Sequence, residues 1–367
     1  MISGCATRQG TKSFAQKFGS ISDNYRTFQD LTLSNVGIGT YLGNPDEQTD
    51  LLVMEAVKKS ILGGINVIDT AINYRAQKAE RSVGKAIAQL VAEGKIERNQ
   101  IFVSTKNGYL TNDADVKEEF WSYVQREYTK RGILGAGDIS SGYHCMTVKY
   151  LEDQLERSIK NLGLECIDLM YLHNAVEGQI QDITKEQFIK NLKDVFGLYE
   201  QKRKQGKIKY YGMATWECFR VSQENPQYLS LYDTIQLAKQ VGGDSHGFRF
   251  IQLPYNLYYD QAFMLKNHQT NGNATSILDA AQFYGIGVFT SVPLMQGRLL
   301  APGVLPNFGG LKPSLQCLQF VRSTPGVLAP LIGQKSPHHV DENLEIMKIG
   351  PMQKGEFDAL VKMLISS

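Results

Sequence analysis

The sequence lacks most of the features that mark a specialised class of protein. Its 367 residues hold 5 cysteines, Cys5, Cys145, Cys166, Cys218 and Cys317, scattered singly. None stands at the CxxC or Cys/His spacing of a zinc site, and they are too sparse for a disulfide scaffold, so reduced thiols in a cytoplasmic protein are the expectation. Nowhere do about 18 apolar residues run together without charge, and the opening MISGCATRQGTKSF has no apolar core of the kind an export signal needs. Neither a membrane span nor export by that route is expected. Of the 6 histidines only His338 and His339 are adjacent, and adjacent side chains point apart on a helix, so no metal site is expected. Charge of one sign is missing as well: 39 basic side chains face 37 acidic ones, for a net charge of +2 without a long run of either. A protein that grips nucleic acid concentrates basic residues on one face. No nucleic acid and no membrane are expected as partners, and the sequence carries no signal of oligomeric state.

What is present is an ordinary globular composition, 42% apolar and 21% charged, organised from residue 31 onward in a repeating unit. Each unit is a short run rich in valine, isoleucine and aromatics, then a polar loop, then a longer stretch with apolar residues at helical spacing. This is the alternation of a parallel α/β fold. Candidate strands lie at 35–40, 65–69, 101–106, 167–173, 209–215, 248–254, 287–291 and 327–332. Between them, segment 50–62 puts Val53, Ala56, Val57 and Ile61 on one face, and 148–162 puts Leu151, Leu155, Ile159 and Leu162 at fourfold spacing. Segment 185–205 opens with Thr184 and Gln187 at capping-box spacing and buries Phe188, Leu192, Val195, Phe196 and Tyr199. Gly63, Gly163 and Gly206 follow these helices, where a left-handed turn leads into the next strand. Eight such units predict a single-domain α/β protein, a closed (β/α)8 TIM barrel over residues 31–367, rather than an open sheet. Residues 1–30 have no strong period and are expected as an N-terminal arm or cap.

One gap breaks the rhythm. Most strands begin about 30–42 residues apart, but Ile101 and Ile167 are 66 apart, because residues 108–146 form a large insertion after the third strand. It contains Tyr109, Phe120, Trp121, Tyr123, Tyr128 and Tyr143. It follows the C-terminal end of a strand, the active-site end of such a barrel, so it is expected over or beside the site. A surface excursion with its own small core is an equally good reading.

Three apolar strands stop on an ionisable group: INVID on Asp69, IFVSTK on Lys106 and IDLMYLH on His173; Tyr74 follows five residues after Asp69. Each alone has a bland reading, as a loop cap, a surface charge, a hydrogen-bonded core histidine and an aromatic lid. Together they converge on one rim of one barrel, which makes them candidate catalytic residues.

The segment DTAINYRAQKAERSVGKAI resembles the DTAxxY region of the aldo-keto reductases, and STKNG and YLHN are similar to that family's lysine and histidine strands. The resemblance continues through GIGTY, FIQLPYN, VPLMQGRL and LIGQKSPHHVDEN, covering about residues 31–350 in the family's order. It implies hydride transfer from a reduced nicotinamide to the carbonyl of an aldehyde or ketone, with Asp69, Tyr74, Lys106 and His173 as the tetrad. A tyrosine of ordinary pKa about 10 gives up its proton reluctantly at neutral pH. On this reading Lys106 lowers that pKa, Asp69 keeps the lysine charged, and His173 donates to the carbonyl oxygen.

The resemblance also implies cofactor contacts. Gln252 matches the glutamine that holds the carboxamide, Asn174 follows the catalytic histidine, and GIGTY sets Thr40 and Tyr41 at the first strand's end. The family's Ser-Asn pair reads Ala214-Thr215-Trp216 here, so only Thr215 keeps a hydroxyl. The aromatic that stacks on the nicotinamide is missing from FTSVPL, and Trp216 is a candidate substitute. PLMQGR brings Leu294, Gln296, Gly297 and Arg298 near the pyrophosphate. From Gly333 the chain runs into a helix N-terminus, where backbone N–H groups favour anions. Lys335 is set to meet a 2′-phosphate, His339 lies on the cofactor side, and Glu342 and Asn343 match adenine contacts. One lysine favours NADP(H) over NAD(H). Two other readings stay open: a cofactor-binding sensory or regulatory protein with little turnover, and a Schiff-base aldolase or isomerase using Lys106. The substrate itself has no readable code, since loops 108–146, 216–247 and 255–273 would set it.

Overall fold

In the computed structural model, residues 1–19, 21–305 and 308–366 are described. Eight parallel strands close into a barrel: β1 (Gly37–Gly39), β2 (Val67–Asp69), β3 (Phe102–Asn107), β4 (Ile167–His173), β5 (Ile208–Ala214), β6 (Phe248–Pro254), β7 (Gly287–Ser291) and β8 (Val327–Gly333). The last strand meets the first, with Leu331 opposite Gly37 and Gly333 opposite Gly39. All eight expected strands are present. The first is shorter than 35–40 because Ser34 and Asn35 bond elsewhere: Ser34 N–H donates to Asn66 Oδ1 at 2.8 Å and Asn35 N–H to Asn24 O at 2.8 Å. At Gly37 a side chain would lie 2.6 Å from Leu331 and 2.9 Å from Val67, so only glycine allows this seam to close.

Alternating side chains separate two cores. Inside the barrel Val67, Phe102, Leu169, Tyr171, Phe250 and Phe289 pack together, with Phe250 stacked on Phe289 at 5.7 Å. The outward-facing residues, among them Ile68, Val103, Met170 and Ile251, meet the helices. Helix Glu47–Leu62 starts three residues earlier than expected because Asp46 caps it, accepting from Thr49 N–H at 2.7 Å. Helix Val148–Leu162 ends, as expected, on left-handed Gly163, φ 65°. Helix Lys185–Lys204 has half of its capping box: Thr184 accepts from Gln187 N–H at 3.2 Å, but the Gln187 amide donates to Asn191 instead.

Residues ahead of the barrel form a helix, Arg8–Phe18, and an antiparallel hairpin, Tyr25–Phe28 with Leu31–Ser34. Leu31 and Leu33 join the barrel interior, and Phe28 meets Phe250 edge-on at 5.1 Å, so the hairpin plugs the N-terminal ends of the strands. Arg322, fully buried, joins this cap to the C-terminal segment: it donates to Asn24 Oδ1 and to the carbonyls of Ile346, Ile349 and Gly350 at 2.9–3.0 Å. Burial, reinforced by nearby Arg26, pulls its pKa down to about 9. Among the described residues no helix is long and apolar enough to cross a membrane.

The insertion divides between two roles. Its helix Phe120–Val124 continues as a wider π-helical turn, Gln125–Thr129, and buries Tyr123 and Tyr128 in the outer core. Trp121 and Tyr143 lie on its surface, 46% and 55% exposed.

Asp168 ties the lower end together. Fully buried on β4, it accepts from Ala6 N–H at 2.6 Å, Val103 N–H at 2.8 Å and Arg98 Nη2 at 2.7 Å. Removing one partner of a buried pair strands the other charge. Asp168→Ala is expected to lower the unfolding free energy by ~3–5 kcal/mol, read as a fall in urea midpoint at unchanged slope. Asp168→Asn, which keeps an acceptor oxygen, should lose less.

Candidate active site

The ionisable ends of β2, β3 and β4 meet at the C-terminal mouth of the barrel. Lys106, with no exposed surface, sits 2.5 Å from Asp69 Oδ2 and donates to Thr70 O at 2.8 Å. The other Asp69 oxygen accepts from Ser104 Oγ at 2.7 Å and from Gln252 Nε2, reaching across from β6, at 3.0 Å. Burial alone would discharge the lysine, but Asp69 and the Tyr74 phenol outweigh it and hold its pKa above the ordinary value.

Tyr74 stands on the loop after β2. The three residues that follow it, Arg75, Ala76 and Gln77, all take left-handed φ values of 50°, 49° and 75° without a glycine among them. Such a run is strained, and it persists because its side chains are tied down. Arg75 donates to Asp50 at 2.6 Å and to Ser82 at 2.9 Å, and Gln77 donates to Asn112 O at 3.0 Å. The result sets the Tyr74 ring 4.7 Å from Lys106 Nζ and edge-on to both His173, at 5.8 Å, and Tyr41, at 5.0 Å. The expected lowering of the Tyr74 pKa is not what this geometry gives. Burial raises it, the Lys106 charge opposes, and Asp69 cancels part of that opposition, so the net shift is upward. Tyr74 is a neutral phenol holding its proton.

His173 is neutral too: burial, with Lys106 and His144 nearby, drives its pKa well below the ordinary value. His144 accounts for its setting, lying with one ring nitrogen 2.8 Å from the His173 carbonyl and its own pKa at about 4 through burial. Tyr109, the first aromatic of the insertion, packs edge-on against both histidines, at 5.3 and 5.1 Å. Among the described residues His173 Nδ1 and Asn73 Oδ1 are buried without a hydrogen-bond partner.

A cavity of about 720 Å³ opens from these groups. Asp69, Tyr74 and His173 line it, while Lys106 lies behind them. Thr40, Tyr41, Asn174, Thr215, Gln252, Leu294, Gln296, Gly297 and Gly333 line it as well. His339, Glu342 and Asn343 line the far end. Arg298 and Lys335 lie outside that lining, as do Trp121 and Tyr123 of the insertion. Trp216, 37% exposed, is part of it. Two of the far-end groups already have partners: Glu342 accepts from Ser314 Oγ at 2.5 Å and Lys312 at 3.1 Å, and Asn343 donates to Gln334 at 2.8 Å.

The loop after β7 is shaped for close approach. Val292, Met295, Gln296 and Gly297 have φ values of 50°, 49°, 55° and 90°. A β-branched residue is out of place there, and Asn256 clamps it, donating to Val292 O at 2.8 Å.

Glu177 is the functional neighbour that sequence reasoning missed. Four residues past His173, its Oε1 accepts from Thr215 Oγ1 at 2.6 Å and from the N–H groups of Trp216 and Glu217 at 2.8 and 2.5 Å. This carboxylate holds the turn where the Ser-Asn pair is absent. The only available signal was an acidic residue in the first turn after a strand that ends on histidine.

The sequence matches the Aldo/keto reductase family over residues 35–365. The chain belongs to that family. It is 27% identical over 187 residues to the Uncharacterized oxidoreductase YqkF of Bacillus subtilis (strain 168), covering 51% of this chain and 46% of that one. It is 26% identical over 212 residues to the NADH-specific methylglyoxal reductase of Escherichia coli (strain K12), covering 56% and 55%. The chain thus spans about half the length of these relatives. A solved aldo/keto reductase from Klebsiella pneumoniae, in complex with NADP and acetate, superposes with a TM-score of 0.60 at 19% identity, covering 94% of this chain and 96% of that one.

Glu177→Ala should release the turn at 215–218 without unfolding the barrel. In a Trp121→Phe background the single remaining tryptophan, Trp216, reports it: a red-shifted, more quenchable emission is expected, with a stability loss of ~1–3 kcal/mol for the orphaned donors. Unchanged emission would show that the carboxylate does not hold the turn.

Proposed function

We propose that this aldo/keto reductase reduces the carbonyl of an uncharged aldehyde or ketone with NADPH, Tyr74 giving the proton. The observation that carries this reading is the convergence of a neutral Tyr74 and a neutral His173 on one cavity, backed by a Lys106 that stays charged through Asp69. The substrate oxygen gains negative charge as it is reduced. Tyr74 O–H supplies a proton to it, and the ammonium of Lys106 stabilises the tyrosinate left behind. His173, uncharged, donates a hydrogen bond to the same oxygen and orients the carbonyl. The reaction needs a hydride, which a bound reduced nicotinamide supplies.

The residues present fit that group. The left-handed turn at 295–297 borders the cavity through Gln296 and Gly297, and helix Pro337–Leu344, which lines it through His338 and His339, begins on Ser336, whose side chain makes no capping bond. Both favour phosphate oxygens. Among the described residues the cavity lining contains no lysine or arginine, which favours an uncharged substrate, and Tyr41, Tyr109 and Trp216 give its rim an aromatic character. The Klebsiella structure carries NADP by name, whereas the E. coli relative is NADH-specific by name. Lys335, partly buried beside Gly43, supports the phosphorylated cofactor. All five cysteines are free thiols, which supports the cytoplasmic reading.

Tyr74→Phe should lower turnover by about 10²–10⁴ while NADPH still binds. A Phe variant with near wild-type turnover at saturating substrate would remove Tyr74 as the acid. With Tyr74 raised and His173 lowered in pKa, neither changes charge near neutrality, so kcat for reduction should be flat between about pH 6 and 9. Steady-state rates across that range check it; a limb near pH 7 would point to another group. Lys335→Ala should weaken NADPH by roughly tenfold to a hundredfold and leave NADH almost unchanged, the gap shrinking with salt. Fluorescence titration with both cofactors at low and high ionic strength decides it, and equal losses would reopen NADH as the cofactor.

A further inference from the structure

At the end of the barrel away from the cavity, the N-terminal segment lies along the approach to β4. Ile2 N–H donates to Gly163 O at 2.7 Å, and Glu165 N–H to Ile2 O at 3.0 Å. Asp168 secures the other end of the segment through Ala6. Between these ties stand two free cysteines on the two stretches of chain so joined, Cys5 in the segment and Cys166 one residue ahead of β4, whose thiol points back to Ile167 O at 3.7 Å. Cys5 is partly exposed and Cys166 is 8% exposed.

The surroundings make the two sulfurs unequal. Lys209 donates to Ala6 O at 2.6 Å and Arg98 to Cys166 O at 3.0 Å, which brings two cations to the pair; Asp168 and the Tyr210 phenol are the groups that oppose them. The neighbouring Cys166 thiol lowers the Cys5 pKa to about 7, against burial and Asp168. Cys5 in turn, together with burial, pushes Cys166 far upward. One sulfur is a nucleophile near neutral pH and its neighbour is a protonated thiol.

We propose that Cys5 and Cys166 are a peroxide-reactive pair that closes to a disulfide and staples the N-terminal segment to the base of β4. The Cys5 thiolate attacks one oxygen of hydrogen peroxide, the O–O bond breaks, and Cys5 becomes a sulfenic acid while the departing hydroxide takes a proton to form water. Cys166 then loses its proton and attacks the Cys5 sulfur. The S–O bond breaks, the S–S bond forms, and a second water leaves. Two thiols lose two electrons in all, and one peroxide is reduced to two waters. A thiol–disulfide reductant returns the pair.

The test uses the full chain and hydrogen peroxide at a few equivalents, followed by alkylation, digestion and mass spectrometry. The expected product is a Cys5–Cys166 linked peptide, lighter than its two reduced halves by two hydrogens, with Cys145, Cys218 and Cys317 still alkylatable after denaturation. In the reduced protein, Cys5 alkylation should reach half its maximal rate near pH 7, and in Cys166→Ala that midpoint should move to that of an ordinary thiol, about 8.5. The Cys166→Ala variant should also retain the sulfenic acid, trapped by dimedone. A product linked through Cys5 to a second chain, or no linkage together with an ordinary midpoint in the wild type, would overturn the proposal. None of these readouts involves carbonyl reduction, so the proposal stands or falls apart from the catalytic reading.

Discussion

A charged lysine with no exposed surface is the constraint around which the upper half of this barrel is arranged. Lys106 is stable there only because Asp69 lies 2.5 Å away on the neighbouring strand and Thr70 offers its carbonyl. That requirement fixes the register of β2 against β3, where Asp69 is opposite Ser104 and bonds to it. It also draws Gln252 across the barrel, so the position matching a carboxamide contact is engaged with the carboxylate that neutralises the lysine. The same ammonium charge helps keep His173 uncharged. Electrostatics at the mouth is therefore one coupled system, and the strands beneath it are its scaffold.

The barrel was legible in the sequence because its strands are apolar runs bounded by polar loops, and because three of them end on groups an apolar strand has no other use for. The left-handed run after Tyr74 was not legible, since Arg75, Ala76 and Gln77 carry no glycine to announce it and are held by Asp50 and Asn112 from distant segments. Glu177 escaped notice for a similar reason: its value lies in the backbone N–H groups it accepts, which sequence does not display. The direction of the Tyr74 shift was missed because residue types reveal a lysine partner but not how deeply both are buried. The N-terminal cap hid behind short elements, with a hairpin turn at Gln29 and Asp30, both at positive φ, in place of the usual glycine.

The two ends of the barrel serve different ends, as barrel folds generally allow. At the upper end lie strained loops, unpartnered polar atoms and an open cavity. The lower end is filled by Phe28, Leu31 and Leu33, and by the carboxylate of Asp168, both of whose oxygens accept hydrogen bonds. The two thiols lie in this second region, beside the ties that hold the N-terminal segment to β4.

The way this cap is anchored bears on how the chain reaches its native state. Asn24 donates to Met347 O at 2.7 Å across 323 residues of sequence, Arg322 grips the same asparagine, and β1 has no partner on one side until β8 arrives. A ribosome delivers the N-terminus first, so the hairpin and β1 must wait, with apolar surface uncovered, until β8 and the segment 346–350 have emerged. Contacts of such separation slow folding and lengthen the exposure of sticky intermediates. Closure of this barrel is therefore a late step of its folding, which waits on the arrival of β8.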